Sequence, residues 1–501
     1  MATRGGQLTA TAHPSLDRLS TGSAAFDRIL GGGFPKRSVN VIAGEPGAGK
    51  TIFALQMLFH QARQGRKCLY LTTLSEPSMK MVTYMQQFSF FDESLIAKDR
   101  VVFADLGSVV RRKGVDETLT DITARVEHEE PAIVVIDSFK ALRDLLGDAS
   151  AMRTFIYDLA VHTATWGAVT LFVGEYTGEE IANLSEFAIA DGIIRLTNRR
   201  QELRAIREVE VCKLRGADVV TGIHFFEIGR DGLTFFPRVR GPEGPIPEPE
   251  TPDERAKTGA TGLDDMLGGG LPRASATVVL GGTGTGKTFL GLQFLLEGAK
   301  NGEPGIHFTL EETPNQLRGI ARGFGWDLRS FEERGLITFK YVSPVELSTD
   351  RFLDQARQEV DSLGARRVVL DSLTSMALGV SSERRFKELV YAMTKHFRAA
   401  GVSANMNMEV ADLLGSAQLS GHGVSFAADN VIQLKYVEVD GHLERGISVL
   451  KARGVRHATD VRRMRIGAGR IDVEAAFTGL RGVLTGLPVP VSATSTAKGD
   501  T

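Results

Sequence analysis

The sequence is poor in cysteine, in long apolar runs and in net charge. Its two cysteines, Cys68 and Cys212, lie in apolar strand-like runs, which excludes a disulfide framework and predicts buried, reduced thiols. No apolar run reaches about 18 residues and residues 1–15 lack an apolar signal core, so we expect a soluble cytoplasmic protein without a membrane partner. The net charge of -2, from 59 basic and 61 acidic side chains, argues against nucleic acid as a partner.

The chain is long enough for more than one domain, and it contains an internal repeat. Its 501 residues exceed the roughly 250 to 300 that one hydrophobic core supports, so two or three domains are expected. Residues 21–51 read TGSAAFDRILGGGFPKRSVNVIAGEPGAGKT, and residues 258–288 read TGATGLDDMLGGGLPRASATVVLGGTGTGKT without a gap. Farther on, Asp137 aligns with Asp371 at almost the same spacing that relates Lys50 to Lys287. The repeat indicates duplication of a whole domain.

A proline-rich segment separates the two copies. Residues 241–252, GPEGPIPEPETP, favour extended backbone and form a semi-rigid linker. We therefore predict a flexible N-terminus at 1–13, a first domain at 14–240, a second domain at 253–485 and a disordered tail at 486–501.

Each copy alternates short apolar runs with amphipathic segments. In the first copy VNVIA, KCLYLTT and AIVVIDS read as strands, and IFALQMLFHQA reads as a helix. Strands that are apolar throughout are typical of parallel sheets covered by helices on both faces. The sequence therefore predicts an α/β fold in each domain.

Both copies carry a phosphate-binding loop between a strand and a helix. Residues 44–51, GEPGAGKT, and residues 281–288, GGTGTGKT, match the P-loop pattern, in which glycines let backbone amides face phosphates and a lysine neutralises phosphate oxygens. A purely structural glycine loop is the alternative, and the repetition in register argues against it. The predicted ATP-binding residues are Gly44, Gly47, Gly49, Lys50, Thr51, Gly281, Gly284, Gly286, Lys287 and Thr288.

Acidic residues follow two further strands. Thr51 and Thr288 are predicted to bind Mg²⁺ directly, and the strand-terminal Asp137 and Asp371 to hold it through water, with a capping role as the alternative for the aspartates. No Asn-Lys-x-Asp or Thr-Lys-x-Asp segment that would read guanine is present, so ATP is the expected nucleotide.

A second acidic set follows the strand after each P-loop helix. The second copy has Glu311 and Glu312 there, and the first copy has Glu76. Phosphoryl transfer needs a carboxylate that orients the attacking water or hydroxyl, so these glutamates are catalytic candidates together with Lys50 and Lys287. A solvated helix start is the alternative reading of the glutamates.

Taken together, these motifs resemble the KaiC family of double-domain RecA-like ATPases, which includes a circadian-clock autokinase. The resemblance extends over nearly the whole chain and includes TG-x5-LGGG-x-P before each P-loop, LEETP, VVLDSL, EVCKLRG and KYVEVDGHLERGISVLKARG. It implies a homo-hexamer with ATP between neighbouring subunits. By this resemblance, four residues would act in trans, on the ATP of a neighbouring subunit: Lys213, Arg215, Lys451 and Arg453. Without the resemblance, these side chains would be interpreted as a solvated strand face.

The resemblance also implies a phosphoacceptor, and it shows two departures from the family pattern. Ser425 takes the position of the acceptor serine, Phe426 replaces the adjacent threonine, and an unmodified interface serine is the alternative. In the first copy Ser75 takes the position of the family's first glutamate and leaves Glu76 alone. We expect the first copy to bind ATP firmly, to hydrolyse it slowly and to hold the hexamer together.

Three functions are compatible with these features. The leading hypothesis is a hexameric ATPase and serine autokinase in signalling or clock-type regulation, read by a KaiB-like protein, a histidine kinase or a response regulator. The alternative is an ATP-assembled scaffold with little kinase activity, which Phe426 and Ser75 favour. A DNA recombinase or helicase is the third reading, and the near-zero net charge argues against it.

Overall fold

The chain forms two compact units, residues 1–238 and residues 239–501. The structure, a computed structural model, describes residues 16–73, 78–113, 115–146, 149–201, 204–238, 254–344, 348–380, 382–410, 427–467, 469–483 and 489–490. The predicted linker at 241–252 and the predicted flexible N-terminus at 1–13 lie outside the described residues.

The first unit alternates strands and helices along most of its length. Its strands are β1 Arg18–Leu19, β2 Phe34–Pro35, β3 Val39–Gly44, β4 Cys68–Thr72, β5 Val101–Asp105, β6 Ile133–Asp137, β7 Val169–Glu175, β8 Gly192–Gln201, β9 Arg204–Leu214, β10 Ile223–Gly229 and β11 Gly232–Phe236. Its helices are α1 Ala24–Ile29, α2 Lys50–Arg63, α3 Ser78–Met85, α4 Glu93–Ala97, α5 Gly107–Lys113, α6 Val115–Glu129, α7 Phe139–Leu146, α8 Ala149–Trp166, α9 Gly178–Asn183 and α10 Ser185–Ile189.

The second unit repeats this order. Its strands are β12 Arg255–Ala256, β13 Leu271–Pro272, β14 Ala276–Gly281, β15 Gly305–Thr309, β16 Ile337–Tyr341, β17 Arg367–Asp371, β18 Ser403–Glu409, β19 Asn430–Val439, β20 His442–Ala452, β21 Arg462–Gly467, β22 Arg470–Ala476, β23 Leu480–Arg481 and β24 Val489–Pro490. Its helices are α11 Thr261–Met266, α12 Lys287–Lys300, α13 Pro314–Gly323, α14 Leu328–Glu333, α15 Thr349–Leu363, α16 Leu373–Leu378 and α17 Glu383–Ala399. Strand β24 lies in the stretch 486–501 that was predicted to be a disordered tail, and it pairs with β23, so described structure extends past residue 485.

Each unit is built on a nine-stranded sheet. The order is β11-β10-β9-β8-β3-β7-β6-β4-β5 in the first unit and β16-β15-β17-β18-β14-β19-β20-β21-β22 in the second. Strands β3 to β8 pair in parallel, as do β14 to β19, and an antiparallel extension completes each sheet. This arrangement confirms the α/β prediction.

Strand β6 shows why the sheet is covered on both faces. Ile133 and Val135 pack into a core with residues of α2, whereas Val134 and Ile136 pack into a second core with residues of α7 and α8. Successive side chains of a strand point to opposite faces, so a strand buried on both sides must be apolar throughout. The apolar run AIVVIDS predicts such a strand, and helices lie on both faces of the sheet as expected.

The P-loop strand is central in each sheet, and a buried asparagine lies on it in the first unit and on the strand beside it in the second. In the first unit Asn40 of β3 donates to the Ser38 hydroxyl at 2.8 Å, and a Cβ on the adjacent Gly192 would meet its side-chain oxygen at 2.2 Å. In the second unit the amide comes from the neighbouring strand, because Asn430 of β19 donates to the Ser275 hydroxyl at 3.0 Å. An asparagine side chain therefore occupies the equivalent space in both units, but it comes from the P-loop strand in the first unit and from the neighbouring strand in the second.

Candidate nucleotide sites

The loops that connect β3 to α2 and β14 to α12 depend on glycine immediately before each helix. Gly49 has φ 97° and Gly286 has φ 107°, both in the left-handed region that side chains other than glycine rarely adopt. A Cβ there would also meet the side chains of Ile228 and Ile466, each at 2.7 Å. The loops thus curl into the helix N-termini, where free amides and the helix dipole favour phosphate.

Both P-loop lysines fold back onto their own loop. The Lys50 ammonium donates to the Glu45 carbonyl at 2.8 Å, and that of Lys287 donates to the carbonyls of Gly281 and Gly282, both at 2.9 Å. Burial lowers the pKa of Lys50, while nearby Glu175 and Asp137 oppose that shift. Each lysine is therefore held where a phosphate tail would enter the loop.

The structure brings together each predicted magnesium pair. The Thr51 hydroxyl donates to the Asp137 carboxylate at 2.7 Å, and the Thr288 hydroxyl donates to Asp371 at the same distance. Burial raises the pKa of both aspartates, and the threonine hydrogen bonds act in the opposite direction. A hydroxyl joined to a strand-terminal carboxylate suits a Mg²⁺ ion that also uses phosphate oxygens and water.

No group of three or more His, Cys, Asp or Glu side chains able to hold a metal is found within the described ranges. Mg²⁺ has little need of such a cage, because it keeps several waters and shares ligands with the nucleotide. The fit is best in the second unit, where Glu312 Oε2 is buried and has no hydrogen-bond partner among the described residues. This oxygen offers a free acceptor beside the Thr288–Asp371 pair.

The two candidate catalytic glutamates have different surroundings. Glu311 Oε1 accepts hydrogen bonds from the Ser372 and Ser375 hydroxyls, both at 2.6 Å. For Glu312, burial and then the Asp371 charge raise the pKa of the carboxyl. Glu311 is therefore held in place, while Glu312 is the carboxylate whose proton affinity is increased.

Backbone hydrogen bonds at the end of β4 define which residue of the first unit corresponds to Leu310, the residue before the two glutamates. Thr73 donates its backbone amide to the Asp137 carbonyl at 3.0 Å, as Leu310 does to the Asp371 carbonyl at 2.7 Å, so Thr73 is the counterpart of Leu310. Counting forward aligns Leu74 and Ser75 with the two glutamates. Ser75 and the candidate Glu76 lie outside the described residues, as do Ser425 and Phe426.

The four residues expected to act in trans are held away from the P-loops of their own units. Arg215 pairs with Asp191 at 3.3 Å, and the other Asp191 carboxylate oxygen accepts from the amide of Val39, the first residue of β3. The P-loop begins at the other end of that six-residue strand, about 17 Å away at the usual strand rise. Lys213 donates to the carbonyls of Phe187 and Ala188 at 3.4 and 3.3 Å.

The second unit repeats this arrangement. Arg453 lies 3.7 Å from Asp429, whose carboxylate also accepts from the amide of Ala276 at the start of β14, and Lys451 donates to the Ala428 carbonyl at 2.6 Å. Among the described residues, no hydrogen bond joins the lysine or the arginine of either unit to the P-loop of its own unit. Sequence reasoning did not identify the two aspartates that hold the arginines.

Two further residues at the second P-loop were also missed. The Tyr436 hydroxyl donates to the Gly284 carbonyl at 2.8 Å, and the Arg445 guanidinium lies 5.6 Å from the Tyr436 ring centroid. The two residues pair directly across β19 and β20, as Asn198 and Arg207 pair across β8 and β9 in the first unit. Both lie in KYVEVDGHLERGISVLKARG, from which the motif comparison took only the terminal lysine and arginine.

The fold and these sites define a tandem P-loop ATPase with two RecA-like α/β units. The family model of the KaiC ATPases matches residues 19–240 and 256–476. The chain therefore belongs to the KaiC family of ATPases, as its motifs predicted.

Curated relatives match along almost the full chain. The circadian clock protein KaiC3 of Synechocystis sp. (strain ATCC 27184 / PCC 6803 / Kazusa) is 28% identical over 486 residues, covering 95% of each chain. The circadian clock oscillator proteins KaiC of Acaryochloris marina (strain MBIC 11017) and Thermosynechococcus vestitus (strain NIES-2133 / IAM M-273 / BP-1) are each 28% identical over 488 residues, covering 95% of this chain and 92% of theirs.

Among the helices that the structure describes, none is long and apolar enough to cross a membrane.

Proposed function

We propose that the second unit hydrolyses ATP and transfers its γ-phosphate to a serine, while the first unit binds ATP firmly and turns it over slowly. The observation that carries this division is Glu312, a half-buried carboxylate with a raised pKa and an unpartnered oxygen next to Asp371. In the first unit Ser75 takes the position of a family glutamate, which leaves Glu76 as the one acidic candidate there.

Each side chain of the second site has a distinct role in this proposal. Lys287 and the loop amides bind the phosphate tail, and Thr288 and Asp371 hold Mg²⁺, which when bound neutralises charge on the phosphates. Glu312 accepts the proton of the attacking water or hydroxyl as the new oxygen–phosphorus bond forms and the bond to the ADP oxygen breaks. A carboxyl whose pKa is raised toward the working pH suits a general base. Glu311, fixed by two serines, orients the attacking oxygen.

The chain works as a homo-hexamer in this proposal, with ATP at the seams between subunits. Lys213, Arg215, Lys451 and Arg453 lie at the far end of their own P-loop strands, which supports a role at a neighbour's nucleotide. An arginine that reaches the γ-phosphate from a neighbour stabilises the charge that develops during transfer.

Ser425 is the proposed phosphoacceptor, and a KaiB-like protein, a histidine kinase or a response regulator is the proposed reader of the phosphorylated or ATP-bound state. The names of the relatives, circadian clock protein and circadian clock oscillator protein, support regulation of this kind. The alternative is an ATP-assembled scaffold with little kinase activity, which the replacement of the neighbouring threonine by Phe426 favours.

Phosphate release and phosphopeptide mapping on the same samples test the proposal. We expect Glu312→Gln to lower turnover by about 100-fold or more, in the range of general-base removal. Glu333→Gln, which removes an exposed carboxylate of α14, is the control and should match the parent chain. Phosphate at Ser425 supports the autokinase, whereas turnover without phosphoserine leaves an ATPase scaffold. Full turnover of Glu312→Gln would contradict the assignment of the base.

A further inference from the structure

The metal carboxylate of the first unit carries a second hydroxyl that the motif does not include. Tyr70 of β4 is 1% exposed, and its hydroxyl donates to Asp137 Oδ2 at 2.6 Å. Thr51 donates to the same oxygen at 2.7 Å. In the proposed site Thr51 would be a direct ligand of Mg²⁺, and Tyr70 would then be the hydroxyl that remains on the Asp137 carboxylate.

Side-chain length explains why this contact occurs in the first unit alone. Tyr70 pairs opposite Val135, and Asp137 lies two residues farther along the same face of β6. A tyrosine hydroxyl reaches such a diagonal neighbour, which lies about 7 to 8 Å away by backbone spacing. In the second unit His307 takes the equivalent place opposite Val369, and its shorter ring does not reach the carboxylate.

The environment of His307 shows that this residue does not replace the hydrogen bond that Tyr70 donates to the aspartate in the first unit. His307 is fully buried, and neither ring nitrogen has a hydrogen-bond partner among the described residues. A phenylalanine packs beside each residue, Phe103 at 5.4 Å from Tyr70 and Phe339 at 5.7 Å from His307 between ring centroids. Tyr70 and His307 thus share an aromatic neighbour on the adjacent strand, but only Tyr70 forms a hydrogen bond with the aspartate of its unit.

The second unit approaches its aspartate from the opposite strand. Leu370 pairs with Met406, so Asn407 of β18 follows beside Asp371. Its amide is close enough to lower the pKa of Asp371, although it forms no well-aligned hydrogen bond with the described residues. At this place the first unit has Val173, which pairs with Asp137 and offers no polar atom.

We propose that Tyr70 is a positioning residue that sets the Mg²⁺ dependence of nucleotide binding at the first site. This role rests on the proposed function of that site. The hydroxyl fixes the orientation of Asp137, so that a carboxylate already in place would help to hold the metal. Partners that hydrogen-bond to metal-site carboxylates commonly change metal affinity by about 10- to 100-fold when they are removed. The first site thereby keeps its Mg²⁺–nucleotide complex tightly while it turns ATP over slowly.

Binding without turnover tests the proposal in the full-length chain. In a Lys287→Ala background, which disables the second P-loop, a fluorescent ADP analogue reports the first site. Its affinity is measured in EDTA and across a Mg²⁺ titration, with and without Tyr70→Phe. We expect the affinity in EDTA to stay within about twofold and the Mg²⁺ concentration for half-maximal enhancement to rise about 10-fold or more. Tyr176→Phe, which removes the hydroxyl of another buried tyrosine in this unit, is the matched control and should leave both values unchanged.

The outcomes separate this inference from the function on which it rests. A Lys287→Ala parent that binds no nucleotide rejects the proposed role of the first site itself. A parent that binds, with a Tyr70→Phe variant that leaves the Mg²⁺ titration unchanged or weakens binding equally with and without the metal, overturns the role of Tyr70. If Tyr70→Phe does not fold, His307→Tyr in a chain with both P-loops intact gives the converse test, with the Mg²⁺ dependence of ATP turnover as the readout of the second site. It should lower the Mg²⁺ requirement of the second site, and an unchanged requirement overturns the proposal.

Discussion

His307 shows how one residue can make a buried core sensitive to acid. Its imidazole is fully buried on β15 without a hydrogen-bond partner among the described residues, and burial lowers the pKa of the ring to about 3. In an unfolded chain the same group titrates near its ordinary value, about 6.5. Below that pH the unfolded state binds a proton that the folded state does not, so the free energy of unfolding falls as the pH drops from about 6.5 toward 3.

This linkage predicts a pH-dependent loss that His307→Phe removes. At pH 5 the second unit should be about 2 kcal/mol less stable than at pH 7.5 through His307 alone. Urea unfolding at the two pH values measures it, in a Trp166→Phe background so that Trp326 fluorescence reports the second unit. An equal loss of stability in chains with and without His307→Phe would mean that other groups cause the acid sensitivity.

At the scale of elements, a buried ion pair joins β17 to the segment between α12 and β15. Arg367 is 2% exposed and pairs with Glu303 at 2.6 Å, while its guanidinium lies 4.5 Å from the Phe294 ring centroid. Gly298 of α12 makes room for it, because a Cβ there would meet the arginine at 2.4 Å. The first unit has Ile133 at the equivalent strand position, so this contact belongs to the second unit.

Removal of the acidic partner should destabilise the second unit strongly. Glu303→Gln leaves the buried guanidinium without its counter-charge, and we expect a loss of about 3 kcal/mol or more in the free energy of unfolding. Glu333→Gln, which breaks an exposed pair with Arg329 on α14, should cost less than about 0.5 kcal/mol. Equal denaturation midpoints for the two variants would show that Arg367 is solvated or has found another partner.

The elements that sequence predicted best are those whose chemistry is local. The P-loops, the strands that end at Asp137 and Asp371 and the two-faced sheets follow from spacing and apolar pattern alone. Tyr436 and Arg445 were missed because their meeting at Gly284 depends on pairing across β19 and β20. The first-unit counterparts of Glu311 and Glu312 stay a prediction, because the described strand register ends at Thr73, the residue that matches Leu310. The hydrogen-bond partners of Tyr70 and Glu311, Asp137 of β6 and Ser375 of α16, likewise come from other strands and helices.

At the scale of the whole molecule, the two P-loops should have separable effects. We expect Lys50→Ala to reduce the hexamer seen by native mass measurement with ATP, because the first site is proposed to hold subunits together. Lys287→Ala should keep the assembly and lose ATP turnover, since the second site carries the carboxylates. A Lys50→Ala chain with unchanged hexamer mass and nucleotide occupancy would show that the first site does not sustain assembly.

The different positions of the buried asparagine limit which strands can be exchanged between the two units. Asn40 fills its space from the P-loop strand, and Asn430 fills the equivalent space from the strand beside it. A chimera that received β14 in place of β3 would have no amide for Ser38, and the reverse exchange would crowd two amides into one site. The halves of this tandem protein are thus no longer interchangeable piece by piece, and recombination between them is expected to succeed only when both neighbouring strands move together.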